Sequence, residues 1–226
     1  STKLRTYVDI MDLHNEVTGS CHFLVIKFPN NETAKIVVDC GLFQEKENDS
    51  YNRGFPFDAD KLDCVLVTHN HVDHRLPLLV KQGYRNEIYC TGATKMLMPL
   101  ALVDSCKVLR DLSRRNNQKQ LYSEGDVNEC VSQLKAVEYE KTFNIHRFVK
   151  ATFFKNGHLL GAAMILLQIQ YEDEASINLL FTGDINFSNM FFDVDPLPNW
   201  VKELPLTVIQ ESTYGDMDKE EIVPVF

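Results

Sequence analysis

The segment Thr68-His69-Asn70-His71-Val72-Asp73-His74 places three imidazoles and one carboxylate within six residues, His69 to His74. It follows the apolar run Leu62-Asp63-Cys64-Val65-Leu66-Val67, so the cluster stands where a buried strand is expected to end. Histidine is the commonest protein ligand for metals such as zinc, and a carboxylate among histidines suits a borderline metal that takes nitrogen and oxygen donors. Side chains alternate along an extended chain, so His69 and His71 project to the same side and can share one ion. Asp73 and His74 come just after, where a helical pattern begins, and can serve a second ion close by. Two adjacent ions can share a hydroxide and clamp the attacking and leaving oxygens of a displacement at phosphorus or carbon. The competing reading is a polar loop whose histidines bond only to backbone; so many ligand types directly after a strand favour the metal site.

Elements that would position such a site can be followed along the chain. Ser20 to Phe28 and Ala34 to Cys40 read as two strands joined at Pro29-Asn30-Asn31, a hairpin that delivers Asp39 and Gly41 at its end. Gln44 to Phe57 is a polar loop on the side where a substrate would approach. Arg75 to Tyr84 reads as a helix ended by Gln82-Gly83, Glu87 to Thr91 as a strand, and Ala93 to Arg114 as a long helix. Residues 115 to 134 are expected to be a helical scaffold, with Ser123 and Asp126 spaced as a capping box. Phe148 to Phe154 is a strand that runs toward Asn156-Gly157-His158, with His146 at a turn before it. A second hairpin, Ile165 to Tyr171 and Ile177 to Phe181, delivers Thr182-Gly183-Asp184, and Leu204 to Gln210 is a further strand leading to Glu211. Strands alternating with helices predict an α/β layered fold.

Composition bounds what the site can be part of. A chain of 226 residues with 44% hydrophobic content fits one domain with a sizeable core. It shows no apolar run long enough for a membrane helix and no signal-type core after Ser1-Thr2-Lys3-Leu4-Arg5, so the expected compartment is the cytoplasm. The six cysteines, Cys21, Cys40, Cys64, Cys90, Cys106 and Cys130, lie mostly in apolar runs without a C-x-x-C pair and are expected to be buried free thiols. A net charge of -9 argues against simple electrostatic attachment to nucleic acid. Two divalent ions would turn the cleft locally positive, and Lys107, Arg110, Arg114, Arg115 and Lys119 form a basic segment that reads equally as a solvated helix face.

His69-x-His71-x-Asp73-His74 resembles the signature of the metallo-β-lactamase superfamily, and Glu211-Ser212-Thr213-Tyr214-Gly215 resembles motif A of its β-CASP nucleases, the group that includes ribonuclease J and the mRNA 3′-end processing nuclease. The resemblance runs from Val17 to Gly215. It implies an αββα sandwich, with residues 1–215 as the N-terminal portion of the lactamase domain and 216–226 as the start of a connection to a β-CASP domain. It also implies two zinc ions, with Mn2+ or Fe2+ as alternatives: His69, His71 and His158 on one, Asp73 and His74 on the other, and Asp184 bridging. By the same resemblance Asp39 orients the histidine loop, Asp73 takes part in catalysis, and Glu211 helps hold a catalytic histidine from the inserted domain. One departure stands out: the family has a small residue and a glycine between the last His and Leu-Pro, whereas here His74 leads directly to Arg75-Leu76-Pro77.

The function expected is a metal-dependent hydrolase cleaving phosphodiester bonds of RNA or single-stranded DNA through a hydroxide held by two zinc ions. A homo-oligomer or a partner supplying the β-CASP part is part of that expectation. The rival readings are a small-molecule ester, thioester or lactam hydrolase of the same superfamily, and a non-catalytic scaffold subunit of an RNA-processing complex. Motif A counts against the first, and the filled ligand positions count against the second.

Overall fold

In a computed structural model of the protein, residues 4–13, 20–42, 52–70, 75–157, 159–184 and 197–210 are described. Alternating apolar residues build two sheets. The first holds β1 (Tyr7–Asp12), β2 (His22–Lys27), β3 (Thr33–Val38), β4 (Cys64–Leu66), β5 (Ile88–Thr91) and β6 (Leu134–Val137), in that spatial order. β1 to β3 form an antiparallel meander, whereas β3 to β6 are parallel neighbours. The second sheet holds β7 (Phe143–His146), β8 (Val149–Lys155), β9 (Ala163–Ile169), β10 (Ile177–Phe181) and β11 (Leu206–Ile209), antiparallel except for the β10–β11 pair.

Three apolar layers set the architecture. Leu24, Ile26, Ile36 and Val38 of the first sheet meet Phe153, Ile165, Leu167 and Phe181 of the second. On the first sheet's other side, Val37, Val65 and Cys90 pack with Leu79 of α1 (Leu76–Lys81), Met98 and Leu102 of α2 (Gly92–Arg115) and Val127 of α3 (Glu124–Ser132). On the second sheet's outer side, Phe154, Met164, Leu166 and Leu180 surround Val201 of the short α4 (Asn199–Lys202). Helices outside and two sheets inside make the αββα sandwich that the sequence leads one to expect. Each fully buried Leu, Ile or Phe contributes about 2 kcal/mol by leaving water.

Local chemistry explains the element boundaries. Thr91 caps α2 by accepting the Thr94 N–H at 3.3 Å, and Arg114 and Arg115 in the last turn complement the helix dipole. Ser123 and Asp126 form the expected capping box at the start of α3. The stretch 115 to 134 is not one helix, however. Asn117 takes a left-handed turn at φ 52° and the Gln118 N–H closes onto the Ser113 carbonyl at 2.8 Å, ending α2 before Leu121 and Tyr122 plug into the core. His146 ends β7 directly at the Arg147–Phe148 turn, as expected, with its ring stacked on Phe28 at 5.4 Å.

All six cysteines are buried and unpaired, as expected. Within the basic segment Lys107 faces Asp104 at 3.9 Å and Arg110 meets Glu124 at 3.0 Å, so part of that charge is spent on neighbouring acids. Among the described residues no helix is long and apolar enough to cross a membrane.

Candidate metal centre

Because β3 and β4 are parallel and in register from Ile36–Cys64 to Val38–Leu66, the residues that follow them leave the same edge of the first sheet. Asp39 leaves at φ 61°, a left-handed conformation that Asp and Asn tolerate better than most residues. Its N–H is held by the Leu66 carbonyl at 2.9 Å, and its fully buried carboxylate reaches across the end of β4. There Oδ1 accepts the Thr68 N–H at 2.8 Å and Oδ2 accepts the Thr68 hydroxyl at 2.6 Å.

The Thr68 Oγ1 also lies 2.8 Å from Nδ1 of His69. A hydroxyl has one hydrogen, and here it is given to the carboxylate; the oxygen can then only accept, so Nδ1 carries the imidazole proton. The consequence is that Nε2 of His69 is the unprotonated nitrogen of the ring. That nitrogen faces Oδ2 of Asp184 at 3.6 Å, with the His69 side chain 2% exposed and that of Asp184 19% exposed.

Asp184 arrives from the second sheet. At the end of β10 the Thr182 N–H is held by the Ile209 carbonyl at 3.1 Å, and Gly183 turns at φ 59°. A Cβ on Gly183 would sit 3.0 Å from both Cβ and Oγ1 of Thr68, so only glycine lets this strand end pass against Thr68. Asn156, fully buried at the end of β8, donates Nδ2 to the carbonyls of Thr182 and Asp184, each at 3.2 Å. The two sheets meet directly where the Ala163 N–H donates to the Thr68 carbonyl at 2.7 Å.

Two further anchors hold the loops that flank this edge. Gly161, at φ 83°, offers its carbonyl to the hydroxyls of Thr91 (2.6 Å) and Thr94 (3.1 Å), fastening the 159–162 turn to the first turn of α2. Arg75, 2% exposed, binds the Cys40 carbonyl through its N–H (2.7 Å) and the Gly41 carbonyl through Nε (2.8 Å). Its guanidinium carbon lies 4.7 Å from the centroid of the Phe55 ring. The residue that closes the histidine loop is thereby tied to the segment that follows Asp39.

Of the residues the sequence points to, His69, Asp184 and Asp39 come together here. His71, Asp73, His74, His158 and Glu211 lie outside the described residues. Accordingly, no group of three or more His, Cys, Asp or Glu side chains forms a cluster among the described residues. His22, buried at the start of β2, pairs with Val38 next to Asp39, with its ring 5.5 Å from that of Phe181 and Asp12 at 3.8 Å, and His14 lies outside the described residues. Thr68, Asn156, Gly183 and Arg75 escape a reading by ligand type, since none is a usual zinc donor.

The donor set fits a divalent metal. Two ligands bound to one zinc ion at about 2.0–2.1 Å with tetrahedral angles stand roughly 3.4 Å apart, close to the separation of Nε2 and Oδ2. An unprotonated imidazole nitrogen and a carboxylate oxygen are both usual donors to a divalent metal. Beside them the buried Oδ1 of Asn70 has no hydrogen-bond partner among the described residues, another polar atom left for something that binds at this edge.

No family model matches the chain. The ribonuclease TTHA0252 of Thermus thermophilus is 35% identical over 203 residues, which cover 89% of this chain and 42% of that protein. The endoribonuclease ysh1 of Aspergillus fumigatus is 31% identical over 207 residues, 89% of this chain and 22% of its own length. This chain therefore spans less than half the length of either. Among solved structures, a subclass B3 metallo-β-lactamase with an active-site glutamic acid overlays with a TM-score of 0.48 and 13% identity, over 94% of this chain and 77% of that one. The chain is a homologue of β-CASP nucleases of the metallo-β-lactamase superfamily.

Proposed function

We propose that this chain carries the metal-binding part of a hydrolase site that cleaves phosphodiester bonds of RNA, with two zinc ions as its complement. One observation supports the reading above all: the Asp39–Thr68–His69 chain holds the imidazole proton on Nδ1 and turns Nε2 toward Asp184. On this reading His69, His71 and His158 hold one ion, Asp73 and His74 the other, and Asp184 stands between them. Asp73 also takes part in the chemistry, and Glu211 fastens a histidine that acts as proton donor. Bound there, zinc supplies a Lewis acid and a water acidified to near neutrality as nucleophile. RNA is favoured over DNA because the relatives carry the names ribonuclease and endoribonuclease. Six buried, unpaired thiols favour a reducing compartment, the cytoplasm.

Within this scheme the protein's own groups work by holding and orienting. Thr68 keeps the His69 proton on Nδ1, Asp39 keeps the Thr68 hydrogen turned away from the imidazole, and Asn156 holds the backbone that carries Asp184. The test is the metal content of protein purified without added metal, wild type beside His69→Ala, followed by cleavage of labelled RNA and DNA. The expected result is about two equivalents of zinc in the wild type and fewer in the variant. Absence of bound metal in the wild type would overturn the reading.

A further inference from the structure

The second sheet's outer face is divided in two. Toward the Asp184 end, the cross-strand row Thr152, Leu166 and Leu180, with Phe154 and Met164, lies beneath α4 and its neighbours. The next row in the same register runs Asn144, Lys150, Gln168 and Asn178 across β7 to β10, and residues directly opposite in antiparallel strands share a face. It is polar throughout. Above it opens a cleft of about 650 Å³, lined by the cations Arg147 and Lys150, the amide Gln168 and the aromatic rings of Phe148 and Trp200. From Lys155, at the metal-centre end of β8, to Lys150 is about 17 Å along the strand.

The chemistry of the lining selects its occupant. No carboxylate lines the cleft among the described residues, although the chain's net charge is -9. Lys150 is exposed, and among the described residues its side chain makes no ion pair or hydrogen bond. Arg147 binds Glu32 at 2.8 Å, and its guanidinium carbon lies 4.5 Å from the centroid of the Phe148 ring, so the cation is backed by an aromatic face. Trp200, 42% exposed on α4, offers a second flat apolar surface at the cleft's border. Spaced cations, stacking surfaces and a side-chain amide match phosphates, base faces and base edges of a single strand. An acidic peptide would answer the cations and leave the rings idle.

We propose that this cleft is a second binding site for single-stranded RNA, on the outer face of the second sheet and reaching away from the end that carries Asp184. The choice of occupant rests on the proposed ribonuclease function; the cleft itself stands on its own geometry. A strand held there would be anchored at a distance from the scissile bond, and affinity for longer RNA would be set apart from the metal centre.

Trp200 is the chain's single tryptophan, which makes the test direct. The full chain is titrated with a 12-nucleotide oligouridine at low salt while tryptophan fluorescence is followed, for wild type, Lys150→Glu and His69→Ala, with polyglutamate as a second probe. The expected result is saturable quenching by oligouridine, unchanged in His69→Ala, weakened roughly tenfold in Lys150→Glu with a shallower salt dependence, and absent with polyglutamate. Because Lys150 is exposed and unpaired, Lys150→Glu should retain the wild-type melting temperature, which is checked in parallel. No quenching in the wild type, equal quenching in Lys150→Glu, or the same response to polyglutamate would each overturn the proposal. Quenching without any zinc binding would sink the proposed function and leave this site standing, whereas zinc binding without quenching would do the reverse.

Discussion

Oγ1 of Thr68 sits 2.8 Å from Nδ1 of His69, and this contact decides which nitrogen of the imidazole faces Asp184. Thr68→Val keeps the shape and removes the hydroxyl. The Asp39 carboxylate then keeps only the Thr68 N–H of the two bonds that Thr68 supplies, and His69 loses the acceptor that fixes its tautomer. Zinc affinity, measured by competition with a chromogenic chelator, should fall about 10- to 100-fold, whereas Thr68→Ser should stay near wild type. Equal affinities in all three proteins would remove Thr68 from any role in orienting His69.

Asp39 combines a buried carboxylate with φ 61°. Asp39→Ala loses both bonds to Thr68 and places a residue poorly suited to left-handed backbone there, for a cost of about 3 kcal/mol or more. Asp39→Asn keeps an acceptor and tolerates that backbone, so its loss should be roughly half as large. Urea unfolding of the two variants side by side checks the order; Asn as damaging as Ala would contradict it.

Gly161 combines φ 83° with a Cβ position only 2.7 Å from the Thr94 nitrogen and 2.9 Å from Thr91 Oγ1. Gly161→Ala must therefore shift either the turn or the start of α2, at a cost of about 2–4 kcal/mol. Gly125→Ala in α3, whose Cβ would meet only Ser123 Oγ at 3.5 Å, is the control and should be neutral or stabilising. Denaturant midpoints decide between them.

Zinc should stabilise the fold by mass action. At a free concentration a hundred times its dissociation constant, the gain is about 2.7 kcal/mol, roughly 5–10 °C in Tm for a domain of this size. The shift should vanish with a chelator and be much reduced in His69→Ala. An unchanged Tm over a wide range of zinc would argue against a resident metal.

The buried thiols give stability a definite dependence on alkaline pH. Burial pushes the Cys90 and Cys130 thiols up to about 12, and that of Cys64 higher still. In the unfolded chain each ionises near 8.5, so above that pH the unfolded state sheds protons the folded state keeps, and stability falls. Each such thiol contributes roughly 1.4 kcal/mol per pH unit in this range. Unfolding measured between pH 8 and 10 should show the decline, and Cys90→Ala should flatten it; in the folded protein at pH 8 these thiols should resist aromatic disulfide reagents.

Much of this architecture is legible in the sequence because its signals are long or chemically distinctive. The β2–β3 hairpin, α2 and the Ser123–Asp126 box follow from alternation, helical period and cap spacing. His69 and Asp184 stand out as ligand types directly after apolar runs, and the structure sets both at strand ends facing one another. The four-residue β6, with Leu134 its one buried residue, and the single-turn α4 are too short to show a period; tertiary packing makes them. Thr68 and Asn156 act through partners that the folded chain alone supplies: the left-handed turn at Asp39 for one, the neighbouring ends of β8 and β10 for the other. The break at Asn117 is hidden because a polar stretch reads as helix surface until the left-handed asparagine is seen.

The bond from the Ala163 N–H to the Thr68 carbonyl also bears on the order of folding. Asp39 and His69 belong to one sheet and Asp184 and Asn156 to the other, so the facing pair His69 and Asp184 exists only once the two sheets have met. Capture of a metal between His69 and Asp184 must follow the docking of the sheets. In a refolding experiment the moment at which metal is taken up would date the closure of the sandwich, and a chain halted before that step would be blind to zinc at these residues however complete its separate strands had become.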